Sequence, residues 1–322
     1  MSSATTSAAG SGLDLLGTIV LELPDRLTDV TSWHTHIPFA FWCVEALRPR
    51  VLVELGTHKG DSYSAFCQAV HALSLPTACY AVDTWKGDPH AGIYGDEVYL
   101  DLGRYHDPRY SAFSRLVRST FDEAVSNFAD GSIDLLHIDG LHTYEAVRQD
   151  FETWLPKLSH SAVVLFHDVN VRERDFGAWR YWQELCSRYP HFTFLHGHGL
   201  GVLVVGPDAP EAAKRLASCD PKQAIHVRSF FSRQGSVVQA WGERQRLEPL
   251  TAELRQRLAG AEETLAARDA QVQEVSTGLA ACQAKLEQVS RDLAQAQSEA
   301  RHPLRTMFAR LLYSGKRLPQ PR

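Results

Sequence analysis

Between residues 51 and 205, short apolar runs alternate with amphipathic stretches of helical period. The runs are VLVEL (51–55), ACYAVD (78–83), RLVRS (115–119), IDLLHID (133–139) and AVVLFHD (162–168), with helical stretches at 62–72, 121–128 and 144–158 among them. This alternation predicts parallel strands joined by helical crossovers. Upstream, aromatic and apolar residues crowd 32–47, and Pro49 stops the helix they form, so it leads directly into the first strand. Downstream, a helix at 179–189 precedes FTFL (192–195) and GVLVV (201–205), separated only by HGHGLG. So short a connection predicts an antiparallel hairpin at the sheet edge. The expected fold is α/β and doubly wound, with a mostly parallel seven-stranded sheet.

From about residue 245 the pattern changes to Ala, Gln, Glu, Leu and Arg, with no Pro between Thr251 and His302. Alternate steps of four and three from Leu254 reach Leu258, Ala261, Leu265, Arg268, Val272, Val275, Leu279, Cys282, Leu286, Val289, Leu293, Ala296 and Ala300. A single amphipathic helix packed on a domain needs a wider stripe, so the repeat predicts a coiled coil over 245–300. With the Leu-rich column read at d, a parallel homodimer is expected, which would bring Cys282 close to its symmetry mate. Residues 301–322 carry basic side chains and no acid, between apolar residues at helical spacing. They form either a basic amphipathic segment for an anionic membrane surface or a solvated helical end. Residues 1–12 are Ser, Ala, Thr and Gly with little to bury, a disordered tail. That leaves 13–240 as the globular domain, with its core at 32–206.

Composition narrows the class. With 33 basic and 38 acidic residues the net charge is −5, which argues against general nucleic-acid binding. The six cysteines are scattered without a CxxC pair, so neither structural zinc nor a disulfide framework is indicated. No uncharged apolar stretch is long enough to span a bilayer, and the N-terminus lacks a signal-peptide pattern. A cytoplasmic protein is expected, with the inner face of the membrane open to the basic segment.

In open parallel sheets, ligands sit at the carboxyl ends of the strands. The first strand runs into Glu54-Leu-Gly56-Thr57-His-Lys-Gly60-Asp-Ser62, where two glycines let the backbone turn tightly. The loop lacks the G-x-G-x-x-G of a pyrophosphate site and suits a nucleoside ligand without phosphates. Asp83 ends the second strand, where a carboxylate can accept both hydroxyls of a ribose, and Glu54 is placed to orient an amino group. Asp139, His142, His167 and Asp168 come from neighbouring strand ends and can converge as a metal or acid–base site. His137, inside an apolar strand, reads instead as a buried core histidine.

These motifs in order, ELGTHKGDS, an acid closing the next strand, HIDGLHTYEAVRQD and VVLFHD, resemble the class I S-adenosylmethionine-dependent methyltransferases. The branch most similar is the one with E-x-G-x-x-x-G-x-S, which includes divalent-metal-dependent O-methyltransferases. VDTWKGDPHAGIYG is similar to methyltransferase domains of bacterial glycan biosynthesis. The resemblance covers about 32–206 and implies a Rossmann-like fold. It implies S-adenosyl-L-methionine held by Glu54, Gly56, Thr57, Gly60, Ser62, Asp83, Ser119 and Asp139. It further implies a divalent metal, Mg, Mn or Fe, on Asp139, His167 and Asp168. His167 stands where the family has an acid, a departure that favours Zn, Mn or Fe over Mg if the imidazole coordinates. His142 matches a basic position and suits a general base, paired with Asp139.

The acceptor is expected to be a sugar hydroxyl in a glycan or a glycosylated metabolite, met by Trp85, His90 and Tyr94 in the loop after Asp83. In the loop after the fifth strand, Arg172 or Arg174 is placed to clamp an anionic group. Two other readings stand beside this one. One is a non-catalytic scaffold whose working part is the coil. The other is a non-haem iron oxygenase using His142, His167 and Asp139.

Overall fold

The computed structural model describes residues 15–301 together with Arg310 and Tyr313. The tail expected at 1–12 and most of the basic segment expected at 301–322 lie outside the described residues. The chain divides into two units, Met1–Arg246 and Leu247–Arg322.

In the first unit a 3-10 turn (Thr31–His36) opens α1 (Ile37–Leu47), which closes at Arg48 in the left-handed region just before Pro49. There follow β1 (Val51–Leu55), α2 (Asp61–Ala72) and β2 (Ala78–Asp83). A small hairpin of β3 (Gly87–Asp88) and β4 (Gly92–Ile93) then leads into α3 (Asp96–Tyr110). After β5 (Ser114–Arg118) come α4 (Phe121–Ala124), β6 (Ile133–Ile138), α5 (Tyr144–Trp154) and β7 (Leu158–His167). The series ends with α6 (Ala178–Cys186), β8 (His191–Phe194), β9 (Leu200–Val204) and α7 (Glu211–Ala217). The last helix, α8 (Pro221–Arg301), begins in the first unit and supplies the described helix of the second.

Seven strands form one sheet in the order β5-β2-β1-β6-β7-β9-β8. The first five in that order run parallel, and β9 and β8 close the edge as the expected antiparallel hairpin. Because side chains alternate along a strand, each strand feeds two apolar layers. Leu52, Leu135 and Leu165 face the layer built on α1 and α2. Val53, Leu136 and Val164 face Phe151, Trp154 and Trp182 of α5 and α6. The reversal of strand order at β1 and β6 opens the carboxyl edge of the sheet at that point.

Three parts of the fold differ from the pattern reading. The helix expected to reach residue 158 stops at Trp154, because Pro156 sits in a 3-10 turn (Leu155–Lys157) and β7 starts earlier than its apolar run. The loop expected after Asp83 is a hairpin followed by α3, which buries only Leu102, His106 and Tyr110, one residue per turn. The long helix starts at Pro221, and its first turns bury Ala224, Val227, Phe231 and Val238. Phe231 packs edge-on against Phe39 and Phe194 there. In the second unit the seam residues Leu258, Leu265, Leu279, Leu286 and Leu293 are exposed. Among the described residues no helix is long and apolar enough to cross a membrane.

Candidate active site

A cleft of about 560 Å³ lies over the carboxyl ends of β1, β2, β6 and β7. Its first wall is the loop after β1. Gly56 and Gly60 both have positive φ (87° and 82°), and a Cβ at Gly56 would lie 2.2 Å from the Asp139 carbonyl oxygen. Only glycine meets both demands. Asp83 ties this loop down, its Oδ2 accepting from the backbone amides of Thr57 and His58 at 2.9 Å each and its Oδ1 from that of Trp85 at 2.7 Å. Asp83 therefore shapes the loop while still lining the cleft. Thr57 also lines it, and its hydroxyl is buried without a hydrogen-bond partner among the described residues.

The adjoining wall carries the ionisable centre. Asp139, His142, His167 and Asp168 each offer one ligand atom, and these four atoms lie within 4.8 Å of one another. His142 Nε2 stands 3.1 Å from Asp139 Oδ1 and 3.0 Å from Asp168 Oδ2. His167 Nδ1 lies 3.1 Å from the same Asp139 oxygen. Burial opposes the charged form of His167, but Asp139 and Asp168 outweigh it and lift its pKa to about 9. Burial likewise opposes charge on His142, and the same two carboxylates raise its pKa nevertheless. In return, and against burial, His167 and His142 hold Asp139 well below the usual carboxylate range. Asp168 is also lowered, against burial, by His167, His198 and His142.

The backbone fixes these groups. The Asp139 amide donates to Leu55 O at 2.8 Å, and the His142 carbonyl accepts from the amides of Gly177 and Ala178, at the start of α6. A Cβ at Gly177 would lie 2.3 Å from Tyr144 N, so that approach also needs glycine. Of the seven non-glycine residues with positive φ among the described residues, His58, Asp168, Arg174 and His198 line the cleft. Such backbone strain concentrates where a site must hold an unusual geometry.

Residues 53–169 match the family model of a methyltransferase domain. This segment is a methyltransferase domain. Over 199 residues the chain is 51% identical to y4gI, an uncharacterized protein of Sinorhizobium fredii, covering 62% of this chain and 22% of that protein. The chain thus spans about a fifth of the length of this relative. Among solved structures, PaMTH1 of Podospora anserina, a methyltransferase bound to S-adenosylhomocysteine, is 13% identical with a TM-score of 0.41, over 55% of this chain and 88% of that one. The O-methyltransferase TomG of Streptomyces achromogenes, in complex with S-adenosylmethionine, is 11% identical with a TM-score of 0.41, over 56% and 91%.

The residues singled out from the sequence separate into two groups. Gly56, Thr57, Gly60, Ser62, Asp83, His90, Tyr94, Asp139, His142, His167 and Asp168 all line the cleft. Glu54, Trp85, Ser119 and Arg172 do not. Glu54 is fully buried and bonded through Oε2 to His137 Nδ1 at 2.8 Å, and its Oε1 has no hydrogen-bond partner among the described residues. Burial pushes its pKa up, against His137 and Ser62. His137 itself is a core residue, packed edge-on against Trp33 and Phe66.

Trp85, expected to face the acceptor, is fully buried and donates from Nε1 to His58 O at 2.9 Å, anchoring the glycine loop. Ser119 bonds Glu123 at 3.4 Å beside the α4 cap, and its neighbours Thr120 and Phe121 line the cleft instead. Arg172 lies over the Trp179 ring at 4.9 Å, whereas Arg174 lines the cleft.

Phe176 is the functional candidate that sequence reading passed over. Its ring stacks on His142 (5.2 Å between centroids, 7° between planes) and on His90 (4.3 Å, 9°). A lone aromatic in a polar loop carries no periodicity, so only its position after the HD pair pointed to it.

Proposed function

We propose that this chain is an S-adenosylmethionine-dependent O-methyltransferase acting on a sugar hydroxyl of a glycan or glycosylated metabolite. The observation that carries the reading is one cleft holding both the glycine loop with Asp83 and the Asp139–His142–His167–Asp168 centre. The cofactor's features match the first wall: close backbone approach at Gly56 and Gly60, a carboxylate at Asp83 and an unpartnered hydroxyl at Thr57. When bound, S-adenosylmethionine supplies an electrophilic methyl group on a sulfonium.

The chain's own work is to orient the acceptor and take its proton. With Nε2–H of His142 donating to Asp139 and Asp168, the lone pair rests on Nδ1, which is buried without a hydrogen-bond partner among the described residues. We assign that nitrogen as the base; because it is buried and the His90 and Phe176 rings beside it are in contact, the acceptor reaches it only when these rings move apart. The carboxylates strengthen the base by raising its pKa. Phe176 excludes water from one face of the imidazole.

A divalent cation fits the same centre, since two imidazole nitrogens and two carboxylates form a compact mixed donor set. Asp139, His167 and Asp168 would hold it, leaving His142 to take the proton, and it would supply Lewis acidity towards the acceptor oxygen. The nitrogen donor favours Mn, Fe or Zn over Mg. A sugar acceptor is supported by His90, Asp88 and Tyr94 on the cleft rim, an aromatic and hydrogen-bonding mixture.

Calorimetric titration with S-adenosylmethionine tests the first step. Micromolar binding, reduced at least tenfold in Asp83→Ala, is expected. No binding to protein whose circular dichroism shows it folded would sink the reading and leave a scaffold. Methyl transfer from labelled cofactor to a panel of glycans, before and after chelation and with each metal restored, then tests acceptor and ion separately.

A further inference from the structure

The exposed seam of the second unit is not symmetrical, and its asymmetry specifies how it pairs. In a heptad the step from a to d is three and from d to a is four. Leu258 precedes Ala261 by three, so the large column Leu258, Leu265, Val272, Leu279, Leu286 and Leu293 occupies a, not d. The d column is small or awkward: Ala261, Arg268, Val275, Cys282, Val289 and Ala296.

In a parallel, in-register dimer each layer pairs a residue with its own copy. The Ala261 and Ala296 layers would then be thin, and Arg268 would face a second Arg268 on the seam, a like-charge contact that costs stability. Leu at a with β-branched residues at d also turns parallel assemblies away from dimers. In an antiparallel pair every layer sets an a residue against a d residue. Leu then meets Ala in the outer layers, and Leu meets Val or Val meets Cys in most of the inner ones, an arrangement that fills a core more evenly, and Arg268 meets Leu286 of the partner subunit in place of its own copy.

We infer that residues 254–300 of two copies of this chain pair antiparallel, in the register that sets Leu258 against Ala296 of the partner subunit. This register, centred on residue 277, matches all seven a positions from Leu258 to Ala300 with the seven d positions from Leu254 to Ala296. A shift by one heptad loses a layer at each end. It places Leu293 against Ala261 of the partner subunit, Val272 against Cys282 of the partner subunit, and Leu286 against Arg268 of the partner subunit. Beside the seam, Arg257 meets Glu299 of the partner subunit, and symmetry repeats that opposite-charge pair at the other end. The two copies of Arg268 stand about 27 Å apart along the axis, and the two copies of Cys282 about 15 Å. Leu254, Leu258, Leu265, Val272, Leu279, Leu286 and Leu293, between 51% and 72% exposed in the single chain, all become covered. The expectation of a parallel dimer with facing Cys282 residues is thereby reversed.

Cysteine cross-linking of the full chain tests this, because a disulfide needs Cα atoms within about 7 Å. Under mild oxidation the native chain is expected to give no cross-linked dimer that depends on Cys282. Val272→Cys is expected to shift most of the chain to a cross-linked dimer, and the double variant Val272→Cys with Cys282→Ser to abolish it. A native dimer band lost in Cys282→Ser, or a band retained in the double variant, would mean a parallel coil and overturn the inference. Sedimentation must also give twice the mass of one chain. A mass of one chain at tens of micromolar, or of four, overturns it too. The outcome is independent of whether the first unit transfers methyl groups.

Discussion

The sheet carries two constellations of histidine and carboxylate, one with a serine hydroxyl and one without, and their difference separates a site from a core. At the amino end of β5, Ser114 Oγ lies 2.7 Å from His106 Nε2, while His106 Nδ1 lies 2.8 Å from Asp107. By distances alone this is the geometry of a nucleophile, base and orienting acid. Yet Ser114 is fully buried, its oxygen also engaged by Tyr63 OH at 2.6 Å, and neither Ser114 nor His106 lines the cleft. At the carboxyl ends of β6 and β7, Asp139, His142, His167 and Asp168 keep similar distances and open into the cleft. Distances define a hydrogen-bonded network in both places; a cleft beside the residues and an unpartnered, though buried, nitrogen distinguish the second.

That comparison breaks most sharply by truncation. His142→Ala is expected to lower methyl transfer from labelled S-adenosylmethionine by about 10²–10⁴-fold while cofactor titration stays within a few-fold, because it removes the proton acceptor and leaves the glycine loop intact. Equal loss of binding and turnover would assign His142 to the cofactor wall instead. The mirror variant, Ser114→Ala, is expected to cost about 1–3 kcal/mol of stability in denaturant unfolding, since Tyr63 and His106 lose a buried partner. Its turnover should match the native chain at temperatures where both are folded. A loss of turnover without a loss of stability would promote that end of the sheet to a site.

The smallest effect concerns a third buried acid. Asp150 lies beneath the turn after β6, and burial with the nearby Asp122 charge raises its pKa from 3.8 to about 7. The folded chain therefore holds this proton more tightly than the unfolded chain. The stability this gives is complete below pH 3.8 and is lost as pH rises through about 7. Asp150→Asn should flatten that decline and gain about 1–2 kcal/mol at pH 8, read from unfolding midpoints across pH. An unchanged slope would place Asp150 in contact with solvent.

The same contrast explains how far the sequence could be read. The strands were legible because runs such as VLVEL and AVVLFHD feed apolar layers on both faces, and because the order of motifs follows the order of strand ends. The centre was legible because Asp139, His142, His167 and Asp168 sit at or just after the ends of adjacent strands. Helix α3 was not, since Leu102, His106 and Tyr110 recur once per turn among charged residues, with Pro108 inside. Trp85 was misplaced for a different reason. Composition tells that a ring stands near a strand end, but not on which side of the backbone it points. Ser114 and His106 gave no pattern at all, being brought together only by the packing of α3 on the sheet.

The contact between Gly56 and the Asp139 carbonyl, where no side-chain carbon would fit, has a consequence for how specificity can change. It joins the loop proposed for the methyl donor to the turn proposed to carry the proton acceptor, leaving no slack between them. Strand spacing, about 4.8 Å and common to every sheet, then sets the separation of donor and acceptor seats. Natural or laboratory selection for a new acceptor has little freedom at those strand ends. Its changes should accumulate in the hairpin around His90 and in the segment around Arg174 and Phe176, the parts of the rim outside the sheet's fixed pitch.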